Sequence, residues 1–154
     1  MKVLIVYDTF SPMKLTAKVA ETIGSVLKEK GIQVDSFFVK GVDKAVVKNY
    51  GCLIAGSPTM AFKASKGIMQ FLDSFSDMEF SGKMGAAFDT QVQFILSGNA
   101  SKGIEKKLKK LGFTIIRYPL VAYVEGKKNE MRLKESELEK AKNWAQEVAK
   151  ALSK

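Results

Sequence analysis

Residues Met1 to Ala20, MKVLIVYDTFSPMKLTAKVA, change character twice. An apolar run from Val3 to Tyr7 ends in a polar turn carrying the hydroxyls of Thr9, Ser11 and Thr16. A helical pattern follows at once, with Ala17, Val19, Ala20, Ile23 and Leu27 on or beside one stripe. The stretch predicts a buried strand, a loop and a helix start. The unpaired N–H groups of a first helical turn, together with the positive end of the helix dipole, make such a loop a seat for a phosphate.

The same alternation continues outward. The first helix is expected from Thr16 to Lys30, with Gly31 as its left-handed stop. Ile32 to Val39 reads as a strand covered on both sides, followed by a short helix from Asp43 to Tyr50. Gly51 to Gly56 is a third apolar strand that ends in the turn-forming cluster Gly56, Ser57, Pro58, Thr59. Ile68, Phe71, Leu72 and Phe75 then recur at helical spacing. Gly82 to Ala87 gives a fourth strand. Phe88 to Ala100 reads as a long irregular connection to a helix bearing Ile104, Leu108 and Leu111, stopped by Gly112. Phe113 to Val124 is a fifth strand that bends or breaks at Pro119, and Gly126 to Asn129 is a polar link. A last helix, from about Lys134 to Leu152, places Leu138, Ala141, Trp144, Ala145, Val148 and Leu152 on one face. Five strands alternating with helices predict a parallel sheet wound on both faces, in one domain. Ligands of such sheets sit beyond the strand carboxyl ends, so the loops after strands one, three and four should converge.

Composition narrows the chemistry. With 154 residues and 46% apolar content the chain is large enough for a core without metals or disulfides. No apolar run approaches the roughly 20 residues of a membrane span, and the run after Lys2 is too short for a signal peptide, so a cytoplasmic protein is expected. The lone Cys52 lies in an apolar segment and reads as a small buried residue. Histidine is absent, which removes the commonest metal ligand and the usual general base near neutral pH. Chemistry must therefore come from a cofactor or be missing. The net charge of +9 is carried by lysines spread over outer helix faces without interleaved aromatics, which favours solvated surface or an anionic partner protein over nucleic acid.

The segments YDT with Thr16 and AKVAETI, GSPT after strand three, and AFDT with SGNA and IEKKLKKLGF together resemble the flavodoxin family across essentially the whole chain. That resemblance implies a flavodoxin-like doubly wound five-stranded parallel sheet of order 2-1-3-4-5, with helices on both faces. Other owners of the topology do not fit. A phosphoryl-receiving regulator needs an aspartate where Gly56 and Ser57 stand, and neither GxGxxG nor GxxxxGK[ST] follows strand one.

The resemblance further implies FMN. Thr9, Ser11 and Thr16 would receive its phosphate, with Lys14 adding charge. Ser57, Pro58, Thr59, Met60 and Phe62 of the second loop and Thr90, Gln91 and Phe94 of the third would hold its ring, Phe62 and Phe94 being the candidates to stack on it. The first loop, TFSPMKLT, departs from the family's S/T-x-T-G-x-T form: it is longer and has no glycine, so positive φ is not expected there. Two function classes follow. One is an FMN electron carrier or small FMN reductase, a monomer or weak homodimer with an acidic redox partner protein; the other is a flavin-free binding or regulatory module.

Overall fold

A computed structural model describes residues 1–10, 13–93, 98–127 and 129–154. The first strand, β1 (Lys2–Tyr7), is followed by α1 (Leu15–Glu29) and β2 (Gln33–Phe38). Two 3-10 segments, Val39–Gly41 and Lys44–Asn49, lead to β3 (Cys52–Met60), β4 (Lys63–Ala64) and α2 (Lys66–Asp73). Then come β5 (Met84–Val92), α3 (Ala100–Lys110), β6 (Thr114–Ile115), β7 (Leu120–Glu125), β8 (Arg132–Leu133) and α4 (Glu137–Leu152).

The strands lie in the order β2-β1-β3-β5-β7-β8, with β6 beside β5 and β4 folded back on β3. All main pairings are parallel; only β4 and β8 run antiparallel. Because β6 and β7 pair with opposite ends of β5, they are one strand interrupted before and at Pro119, and the core order is the 2-1-3-4-5 that the resemblance implies.

Two cores explain why β1 is apolar throughout. Val3 and Ile5 face α1 and α4, packing with Ile23, Leu27, Trp144 and Val148; Leu4 and Val6 face α2 and α3, packing with Ile68, Leu72, Ile104 and Leu108. Successive strand side chains point to opposite faces, so a strand covered twice needs apolar residues at every position.

Several expectations are corrected. Ile32 to Val39 is not covered on both sides: β2 is an edge strand, pairs only with β1, and leaves Phe37 38% exposed. The short helix expected over Asp43–Tyr50 is present as a 3-10 helix, Lys44–Asn49, started by Asp43 Oδ1 accepting from Ala45 N at 2.9 Å. Strand three does not stop at Gly56, because Ser57 and Pro58 pair with Asp89 and Thr90 of β5. Pro58 is in phase with Gly56, whose carbonyl accepts from Asp8 N on the β1 side. Its missing N–H therefore falls where β1 has already ended. The first five residues of the Phe88–Ala100 connection are strand as well, paired from Phe88↔Leu120 to Val92↔Val124. At the C-terminus the helix begins at Glu137 rather than Lys134, whose N–H bonds the Tyr123 carbonyl beside β8, and Leu138 is 40% exposed instead of buried.

Candidate functional site

Four helices begin at the carboxyl edge of the sheet, and their starts are treated differently. That of α4 follows Ser136 (φ 72) without a side-chain cap but carries Glu137 and Glu139 in its first turn. At α2, Ser65 Oγ accepts from Ile68 N at 3.2 Å and donates to Asp8 Oδ2 at 2.6 Å, while Asp8 Oδ1 accepts from Thr9 N at 2.9 Å. The carboxylate lies so close to the first turn that a Cβ on Gly67 would stand 2.5 Å from Asp8 Oδ2. At α3, Thr59 Oγ1 accepts from Ala100 N, Asp89 Oδ2 from Ser101 N and Asn99 Oδ1 from Lys102 N, at 3.1, 2.9 and 3.2 Å. Asp89 is fully buried and is held on both oxygens by Gln91 Nε2 at 3.1 Å. Burial raises its pKa above 3.8, and the hydrogen bonds from Ser101, Gln91 and Thr59 pull the other way.

Among the described residues the start of α1 has no such partner. Lys14 precedes it in the left-handed region (φ 49, ψ 49), makes no side-chain cap, and no acidic residue stands in the first turn. Among the described residues, no acceptor meets the N–H groups of Leu15, Thr16 or Ala17. The positive φ not expected in this glycine-free loop is thus taken by a lysine, at a cost of roughly 1–2 kcal/mol of backbone strain.

A cleft of about 340 Å³ opens beside this start. Thr9, Phe10, Leu15 and Thr16 form one wall, Pro58, Thr59 and Met60 a second, and Thr90, Gln91 and Val92 a third. Val124, Asn129 and Met131, from β7 and the turn to β8, supply a fourth. Strand alternation puts Pro58, Met60, Thr90, Val92 and Val124 on the sheet face that carries the α1 and α4 core, so the cleft continues that core upward. Among the described residues no charged side chain lines it. Thr16 Oγ1 and Thr90 Oγ1 are 2.8 Å apart and buried. Two hydroxyls in one such bond use one hydrogen, so a second hydroxyl hydrogen has no acceptor among the described residues. A larger hollow of about 730 Å³ lies between Arg117–Val121 and α4, away from the strand carboxyl ends.

Of the residues expected to bind, Thr9, Thr16, Pro58, Thr59, Met60, Thr90 and Gln91 are brought together in the cleft. Lys14 stands exposed at the end of the first loop. Ser57 is buried, its Oγ accepting from Ser65 N and donating to the Pro58 carbonyl, so it braces the hairpin rather than facing the cleft. Phe62 is 63% exposed at the β3–β4 turn and does not line the cleft. Ser11 and Phe94 lie outside the described residues. Sequence reasoning missed Phe10, Asp8 and Asp89, although both aspartates directly precede a threonine it selected. It also missed the fourth wall, whose residues carry no local signal.

The arrangement is that of a wound α/β domain with an uncapped helix start beside a cleft at the carboxyl ends of its strands. No family model matches the chain. A flavodoxin of Clostridium saccharobutylicum is 33% identical over 91 residues, which span 58% of this chain and 56% of that protein. Flavodoxin 2 from Bacillus cereus superposes with a TM-score of 0.83 at 23% identity, covering 97% of this chain and 99% of that one. A rubredoxin oxygen:oxidoreductase from Desulfovibrio gigas does so with a TM-score of 0.82 at 23% identity, over 99% of this chain but 36% of that larger one. The chain has the flavodoxin fold, and it spans little more than half the length of the curated relative it matches. Among the described residues no helix is long and apolar enough to cross a membrane, and no group of Cys, Asp and Glu is arranged to hold a metal ion.

Proposed function

We propose that this domain binds FMN and works in electron transfer. The observation that carries the reading is the start of α1, open among the described residues and beside a cleft, where the starts of α2 and α3 are closed by the chain's own side chains and that of α4 carries two glutamates. Such a start gives three N–H donors to a phosphate, and the helix dipole adds to the attraction. Thr9, Ser11 and Thr16 add hydroxyls and Lys14 adds a positive charge. The walls from Pro58 to Met60 and from Thr90 to Val92 then enclose the ring, and the Thr16–Thr90 pair offers its remaining hydrogen to the polar linker. FMN, when bound, supplies the redox chemistry; the protein supplies position, exclusion of water and the local field.

Exposed Lys63 and Lys66 stand beside the second loop, and with Lys14 they suit an acidic redox protein. The apolar surface of Phe62 stands among these charges. A cytoplasmic setting and a monomeric or weakly dimeric state go with this reading. Cys52, its thiol pushed up to about 12 by burial, takes no part.

The test is an absorption spectrum of gently purified protein followed by FMN titration. Yellow protein, or saturable binding at micromolar FMN or below, is the expected result. No binding at saturating FMN refutes the reading and leaves a flavin-free binding or regulatory module.

A further inference from the structure

We infer that Phe10, on the loop after β1, is the aromatic side chain that packs against the ring of bound FMN, a part that the sequence pattern gives to Phe62 and Phe94. The inference rests on the FMN reading above and goes beyond it by assigning the stacking residue to the phosphate loop itself.

Phe10 lines the cleft and is 56% exposed there, and among the described residues it is the one aromatic that does so. The other apolar walls are flexible or aliphatic: Met60, Val92, Val124 and Met131. Phe62 is exposed too, but at the tip of the β3–β4 hairpin. There Ala61 and Phe62 both adopt positive φ (47 and 73) and the Phe62 backbone bridges to Gly98.

An exposed phenylalanine at the mouth of a neutral cleft has an unburied ring face, and a planar heteroaromatic ligand covers such a face with an offset stack. Phe10 also follows an anchored residue. Its neighbour Thr9 is tied by its N–H to Asp8 Oδ1 at 2.9 Å, and Asp8 is itself fixed to Ser65. The chain is therefore fixed at the residue before Phe10.

The experiment titrates FMN into the full chain and into Phe10→Ala, Phe10→Leu, Phe62→Ala and Phe94→Ala. It reads affinity and the visible absorption band of the bound flavin, which an aromatic ring packed on its face shifts and weakens. Phe10→Ala is expected to bind at least tenfold more weakly and to move that band furthest of the four toward that of free FMN. Phe10→Leu should recover part of the affinity and none of the band shift, a split that loss of packing alone does not produce. Thermal unfolding without FMN checks that all four variants are folded.

If Phe10→Ala binds within twofold of the parent, or if Phe62→Ala or Phe94→Ala costs as much affinity as Phe10→Ala, the assignment to Phe10 is wrong while the FMN reading stands. Absence of binding by the unsubstituted chain removes both, and that is seen before any variant is made.

Discussion

Replacing Lys14 with glycine separates what that residue does for the fold from what it does for a ligand. Its backbone sits at φ 49, ψ 49 immediately before α1. A non-glycine residue pays roughly 1–2 kcal/mol for that region, whereas glycine adopts it freely but loses about 0.5–1 kcal/mol more chain entropy on folding. The balance predicts that Lys14→Gly stabilises the ligand-free protein by about 0.5–1 kcal/mol, read as a higher urea midpoint at unchanged slope. The same substitution removes a cation from the proposed phosphate seat. At about 6 Å in a water-like dielectric each pair of unit charges contributes about 0.7 kcal/mol, so FMN affinity should fall by about threefold or somewhat more at low salt, and by less as salt is added. Lys14→Ala keeps the strain and loses the charge, and should show the affinity loss with no gain in stability. The reasoning is refuted if Lys14→Gly lowers the urea midpoint, because the left-handed backbone is then not a strained feature of the loop. It also fails if both variants bind FMN as tightly as the parent at low salt.

Three further outcomes are expected. Gly56→Ala places a Cβ 2.1 Å from Phe88 Cζ, so overpacking should cost about 1–3 kcal/mol in urea unfolding, and an unchanged midpoint would show that the ring moves aside freely. Burial raises the Asp89 carboxyl above 3.8, so the folded chain holds that proton more tightly than the unfolded chain does. The resulting stability is fully present below pH 3.8 and is lost as pH rises through the raised value. The stability of the parent relative to Asp89→Asn should therefore fall over that window, and parallel curves would contradict it. Finally, the net charge of +9 should make the flavin potential less negative than in acidic flavodoxins, and transfer to an acidic partner should slow with added salt. A redox titration giving an equally low value, or salt-indifferent rates, would count against it.

Much of the fold was legible because burial dictates composition. Val3 to Val6 must be apolar to serve two cores, and Pro119 breaks its strand for a reason local to proline. The errors arose where distant pairing overrode local preference. Gly56, Ser57, Pro58 and Thr59 carry every mark of a turn, yet β5 extends far enough to hold the first three in a strand and β4 folds back to pair with Thr59. Ile32 to Val39 looks doubly covered because nothing in it reveals that β2 ends the sheet. The hydroxyl-bearing half of the site could be read from its loops. Val124, Asn129 and Met131 could not, since their presence depends on how β7 and β8 are set against β5. Asp8 and Asp89 were hidden for a related reason: an aspartate at a strand end looks like surface until the helix start that covers it is known.

On the proposed reading, that pair of aspartates limits what the rim accepts. A compound with a single negatively charged end docks at the start of α1. A compound carrying another such group some distance along meets the starts of α2 and α3 with their N–H groups already taken by the chain's own side chains, so selectivity between the two is set before any side chain touches the guest's middle.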